Sequence, residues 1–301
     1  MNEEILAMQN KYKKQYLMLL IAIIALLFYW WQPLFHHWII TVVMLLVIIY
    51  FWGAASETRS VYKKKCRDLV FDETLNKYFT NIQRIEVLND AQKKAVIEEV
   101  NHADLSFWEK EWELHPQAMM TAKYEELDFT LYEYNVMERK TNSKGEESIK
   151  YKNTYWFLNV DLPNKFLGEI QVHTFVDPFK GYKKRLEKIE FASTEFSKTF
   201  TVYATSKMDA YRLIKSPTIL RFLKVYERIV TKDFLLDLDF CFLDGGFYIV
   251  RKAMPVEVHI PFFKPMDFEK ANKLVHEMTL WIKNNIEDFK LREEVYITGR
   301  E

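Results

Sequence analysis

The densest group of potential metal ligands is Asp233, Asp237, Asp239 and Asp244, four carboxylates within twelve residues. Oxygen-rich clusters of this kind can hold Ca²⁺ or Mg²⁺. Asp237 and Asp239 alternate with Leu236, Leu238, Phe240 and Phe242, so they share one face of a strand. The simpler use of that face is solvent contact, where charge also discourages edge-to-edge aggregation. No metal site is assigned here. Glu109, Glu111 and Glu113 interleave with Trp108 and Trp112 and could hold a basic partner. A charged helix face with aromatic anchors accounts for them with fewer assumptions.

The histidines give no local ligand set. His102, His115, His173, His259 and His276 are widely scattered. His36 and His37 sit together and could respond to external pH or bind a metal. Two histidines in a short polar turn between apolar runs need no such role. Cys66 and Cys241 are far apart without framework spacing, which favours a reducing compartment. Acylation of Cys66 has no second feature in its favour. The chain contains no G-x-x-x-x-G-K-[ST], G-x-G-x-x-G, H-E-x-x-H, C-x-x-C or G-x-S-x-G. No catalytic, cofactor-binding or metal residue is singled out, and the balance lies against an enzyme.

The elements that position these residues begin with two apolar runs, Tyr16 to Trp31 and Trp38 to Ala55. With its flanks, each approaches the roughly 20 residues a helix needs to cross a bilayer of about 30 Å. A cleaved signal peptide would need a small-residue cleavage site, and here the first run ends in Trp-Trp-Gln-Pro. A pair of soluble core helices would keep a polar stripe. A transmembrane hairpin is the expectation, with spans at about 16–33 and 37–55. Lys11, Lys13 and Lys14 precede it, while Arg59, Lys63, Lys64, Lys65 and Arg67 follow it. The connecting loop has no Lys or Arg, so both termini are expected in the cytoplasm of a multi-pass plasma-membrane protein.

The rest of the chain is expected to form a juxtamembrane helical segment, 56–115, and a cytoplasmic α+β domain, 116–301. Alternation at Leu127, Phe129 and Leu131, and at Tyr151 to Asp161, predicts strands, and Phe166 to Phe175 supplies another. Ser206 is a candidate helix cap, and Ser216-Pro217 pairs a cap with proline at the first helical position. Asp244-Gly245-Gly246 predicts a hairpin onto Phe247 to Arg251, with a further strand at Val256 to Ile260. A final helix is expected from Asp267 to Ile286. The fold class is therefore α+β, a mostly antiparallel sheet covered by helices. The chain balances 42 basic against 42 acidic residues, and nothing suggests nucleic-acid binding.

Residues 190 to 263 carry a strand ending in Phe200-x-Val202-Tyr203, a short helix, Ser216-Pro217 and a second helix. With the paired spans, this resembles a bacterial family of two-span membrane proteins known only as a domain of unknown function. The resemblance implies a topology and a fold but no activity. The expected role is a non-catalytic interaction or scaffold module whose partners are the lipid bilayer and another membrane or cytoplasmic protein. The alternative is a membrane-tethered enzyme with an unrecognised active site.

Overall fold

The computed structural model describes residues 3–31, 38–103, 105, 112–141, 147–162, 168–174, 186–230, 238–253, 268–289 and 291. Two compact units emerge, one of Met1–Thr74 with Val256–His276 and the other of Leu75–Pro255 with Glu277–Glu301. In the first unit α1 spans Glu3–Trp31 and α2 starts at Trp38, running unbroken to Leu75 at the edge of the second. No proline interrupts α2, and Gly53 with Ala54 and Ala55 leaves its backbone ladder intact. Both helices are long and apolar enough to cross a membrane, and only 11% and 6% of their apolar windows are buried within the protein. Leu17, Phe28, Tyr50 and Trp52 are more than half exposed, unlike the side chains of a soluble core helix.

The second unit contributes β1 (Thr80–Ile85), α3 (Asp90–Ala103), β2 (Trp112–Tyr124), β3 (Leu127–Thr141), β4 (Glu147–Asp161) and β5 (Glu169–Thr174). Then come β6 (Glu187–Ile189), α4 (Thr194–Thr199), β7 (Phe200–Ala204), α5 (Lys207–Leu213), α6 (Ser216–Val230), β8 (Leu238–Leu243) and β9 (Gly246–Ala253). The last helix, α7, is Phe268–Asp288. The strands form one sheet in the order β1-β2-β3-β4-β9-β8-β5-β7-β6, and every neighbouring pair is antiparallel. This matches the expected α+β class.

Local chemistry explains the boundaries. Asn89 and Gln92 form a reciprocal cap on α3, each amide N–H donating to the other side chain at 3.0 and 2.9 Å. Ser206 caps α5 as expected, accepting from the Asp209 N–H at 3.3 Å. Asp244 and Gly245 have φ of 51° and 86°, as a two-residue type I′ hairpin requires, and they join β8 to β9.

Some expectations are corrected. The stretch 56–115 is not helical throughout, because β1 lies within it and β2 begins at Trp112. Trp112 and Glu113 therefore belong to a strand paired with Glu138 and Met137, not to a helix face. Their cross-strand partners override the helix-like spacing of the glutamates. Trp108, Glu109, Glu111, His36, His37, His259, Asp233, Asp237 and the strand expected at Val256 to Ile260 lie outside the described residues.

The centre of the sheet, around β5, β8 and the adjoining halves of β4 and β9, is buried on both faces. On one, Val96, Val100 and Ala103 of α3 with Leu105 pack on Tyr134, Val136, Tyr155, Phe157, Cys241, Tyr248 and Val250. On the other, Phe196 of α4, Phe222 of α6 and Phe289 beyond α7 build an aromatic core. Phe222 meets Phe240 at 5.0 Å and Phe289 at 4.8 Å, and Phe289 meets Phe247 at 4.9 Å.

Candidate functional site

Side chains alternate along a strand, so β5 sends Ile170 and Val172 to the aromatic core and Glu169, Gln171 and His173 to the α3 side. Antiparallel register sets His173 opposite Asp239 and Gln171 opposite Cys241 on β8. Glu169, Gln171, His173 and Asp239 are each no more than 2% exposed. Four polar or charged groups thus share one row inside the protein. Such a row is stable only if its members satisfy one another.

They do. His173 Nδ1 meets Asp239 Oδ2 at 2.5 Å, and the other carboxylate oxygen accepts from the Thr174 N–H at 3.0 Å. Gln171 Nε2 donates to Glu169 Oε1 at 2.5 Å and to the Ala103 carbonyl at 3.4 Å. Those two acceptors set the amide orientation, leaving Gln171 Oε1 to face His173 Nε2 at 3.0 Å. Both ring nitrogens of His173 therefore look at oxygen acceptors. The Tyr203 ring closes the row edge-on, 5.9 Å from the imidazole. Through the Ala103 carbonyl the row also fixes the last turn of α3 to β5.

At its Glu169 end the row reaches an open cleft of about 440 Å³, lined also by Asn101, His102, Gly168, Thr205, Leu243 and Asp244. Thr205 holds the Glu169 backbone, accepting from its N–H through Oγ1 and donating its own N–H to its carbonyl, both at 3.0 Å. His102 Nε2 and Asp244 Oδ2 meet at 3.2 Å on the rim, both about half exposed. Such a cleft can receive a polar group and offer it carboxylate and imidazole contacts.

Beside the row on the same sheet face, Asn159 donates to Glu99 Oε1 at 3.0 Å. Burial, then the Glu99 carboxylate, pushes the Tyr248 hydroxyl far above its ordinary range. Burial, then Glu99, pushes Tyr132 up to about 12. Burial likewise raises Tyr134 well above its usual value.

The acidic residues singled out by spacing are thus used differently. Asp239 is not on a solvent face: the α3 side covers it and His173 is its partner. Asp244 is exposed, as expected for a hairpin tip. Among the described residues no three His, Cys, Asp or Glu side chains are grouped to hold a metal ion. His115 lies on β2, 3.5 Å from Glu113, and His276 is exposed on α7. Sequence reasoning missed Glu169, Gln171 and His173. Their alternation with Ile170 and Val172 is visible, but a polar strand face ordinarily signals solvent.

This fold defines an antiparallel-sheet domain with helices on both faces, accompanied by two long apolar helices. Residues 156–291 match a family described as Protein of unknown function (DUF3137). The match covers the segment whose text carried the resemblance and extends upstream into β4, while residues 1–55 lie outside it. No curated protein matches the chain significantly. The crystal structure of the mycobacterial trehalose monomycolate transport factor A, TtfA, is similar over 73% of this chain and 94% of that one. Its TM-score is 0.34 at 7% identity, a level that transfers neither fold nor role.

Proposed function

We propose that this protein is a two-span plasma-membrane protein, with both termini in the cytoplasm, that presents its α+β domain as a non-catalytic interaction module. The observation that carries the membrane part is the exposure of α1 and α2: apolar side chains from Leu17 to Phe28 and from Val42 to Trp52 are turned outward. Surface of that extent and continuity is matched by lipid. The side chains best suited to chemistry, Glu169, His173 and Asp239, are occupied by hydrogen bonds inside the domain, which supports a framework role for them. The partner is expected to be another membrane or cytoplasmic protein.

Topology is tested by cysteine labelling in intact cells. A cysteine at Leu34 is expected to react with a membrane-impermeant reagent, whereas one at Lys144 is expected to stay unlabelled. Labelling at Lys144 sinks the orientation, and extraction of the protein by alkaline carbonate sinks the membrane assignment. In-cell crosslinking from the domain then identifies what it holds.

The membrane-tethered enzyme is the second reading, favoured by the position of the buried Glu169 beside the His102–Asp244 pair in one open cleft. The pair His102→Ala and Asp244→Ala separates the two. Under the module reading a deletion strain complemented by this variant grows as with the parent chain; under the enzyme reading complementation is lost while the protein remains folded and inserted.

A further inference from the structure

We infer that the basic end of the helical hairpin is a collar for the headgroups of anionic phospholipids, an inference that rests on the membrane assignment above. Two independent features place the cations together. The Arg59 guanidinium is close enough to Tyr12 to act on its hydroxyl electrostatically, so α1 near Lys11 and Lys14 lies level with α2 near Arg59. In addition, α2 continues without a break past Arg59, so Lys63, Lys64 and Lys65 are carried on the same rigid rod as the apolar span.

Over residues 11–14 and 57–65 there are seven Lys or Arg against one carboxylate, Glu57, a net charge of +6. Lys11, Lys14, Arg59, Lys64 and Lys65 are exposed. Lys64 lies opposite the side of α2 that Tyr62, Cys66 and Val70 define as buried, Lys65 flanks that side, and Arg59 shares it, one turn before Tyr62, while staying exposed. Arg59 to Lys65 is six residues, or about 9 Å of helix, which is close to one Debye length at physiological salt. Every one of these charges therefore falls within the field of the headgroup plane. The collar also adjoins the exposed apolar belt directly, with Leu17 only one helical turn from Lys14. A soluble acidic protein would have to share this ground with lipid headgroups; an anionic phospholipid uses the belt for its chains and the collar for its phosphate.

The test uses the full-length chain reconstituted into vesicles of equimolar phosphatidylglycerol and phosphatidylcholine, extracted in mild detergent, with retained lipid counted by mass spectrometry. Retained phosphatidylglycerol is expected to exceed phosphatidylcholine by at least about fivefold, the factor a single cation near an anionic surface supplies. The triple variant Lys63→Gln, Lys64→Gln, Lys65→Gln, which leaves four of the seven cations, is expected to lower the ratio at least about twofold, and raising the salt to bring it toward one. A control, Lys93→Gln with Lys94→Gln on α3, is expected to leave it unchanged. Because both leaflets carry the same lipids, the ratio does not depend on insertion direction. A parent ratio near one, or a triple variant that keeps the parent's ratio, overturns the collar while the membrane assignment stands. A chain that does not co-float with vesicles overturns the membrane assignment itself and the collar with it.

Discussion

The two faces of the β5–β8 strand pair are equally buried and chemically opposite. On one, Val172, Phe240 and Phe242 face the aromatic core, Phe240 against Phe222 of α6 and Phe289 and Phe242 against Phe247; on the other, Glu169, Gln171, His173 and Asp239 hydrogen-bond in a row under the end of α3. Both faces have been taken out of water, but by different means. The aromatic face gains from each apolar atom it removes from water and is indifferent to direction. The polar face gains only while every donor meets an acceptor, and it is penalised heavily when one partner goes missing. Burial alone says nothing about which substitutions a position tolerates.

Phe240 and Asp239 are adjacent and give the sharpest contrast, with the largest effects. Phe240→Ala is expected to cost about 3–5 kcal/mol through lost transfer energy and a cavity. Asp239→Ala is expected to cost a similar amount, about 3–5 kcal/mol, by stranding His173 and the Thr174 N–H. The two faces separate under conservative changes. Phe240→Leu recovers most of the loss, whereas Asp239→Asn, nearly identical in volume, retains most of it. Denaturation of the detergent-solubilised protein reads all four, and a benign Asp239→Asn breaks the proposed difference between the faces.

Gly246 probes how closely the α3 side is filled. A Cβ built there falls 2.6 Å from the Tyr248 ring, itself 5% exposed. Gly246→Ala is therefore expected to destabilise by about 1–3 kcal/mol through overpacking. In a Tyr248→Leu background the same substitution should cost much less, since the obstructing ring is gone. Additive losses in the double variant would place the strain in the backbone instead.

How much of this was legible depends on the range of the cause. Caps and turns are local, and Ser206, Ser216-Pro217 and Asp244-Gly245-Gly246 announce themselves. The β2–β3 hairpin does not: its turn is Glu125-Glu126, with Glu125 at φ 52°, and neither residue carries the Asn-Gly signature. Tertiary pairing imposes that geometry on residues with no preference for it. The His173–Asp239 pair is the extreme case, because it joins residues 66 apart through the β5–β8 register. Asp239 alternates with apolar residues as a solvent-facing residue would. Only a second helical layer over that face makes it interior, and no pattern within the strand records the layer.

The tyrosines of the α3 face sharpen the comparison with alkali. Tyr132, Tyr134 and Tyr248 have hydroxyls raised by burial, and the folded state therefore favours their neutral form. That contribution is complete below the ordinary phenol range near pH 10 and is lost as pH rises through the folded value, about 12 for Tyr132. Absorbance titration should show these three ionising well above the ordinary phenol range, together with loss of structure. Glu99→Gln removes the second-largest cause acting on Tyr132 and Tyr248, and so should move both ionisations to lower pH and leave Tyr134 in place. A uniform shift of all three would mean that the variant loosens the face rather than changing its charge.

The smallest effect expected comes from the same kind of pair in the opposite setting. Lys94 and Glu98 are an ion pair at 3.7 Å along α3, with both side chains more than 60% exposed. Water screens the attraction, and fixing two long side chains offsets much of what remains. Lys94→Ala is therefore expected to change stability by less than about 0.5 kcal/mol, with little dependence on salt. Lys94–Glu98 and His173–Asp239 each set a nitrogen base against a carboxylate, yet the second is expected to matter roughly tenfold more. The difference lies in the unpaired state: released Glu98 finds water, and released His173 finds a sealed interior already committed to other hydrogen bonds. A Lys94→Ala loss comparable to that of Asp239→Ala would show that charge separation, and not burial, governs both pairs.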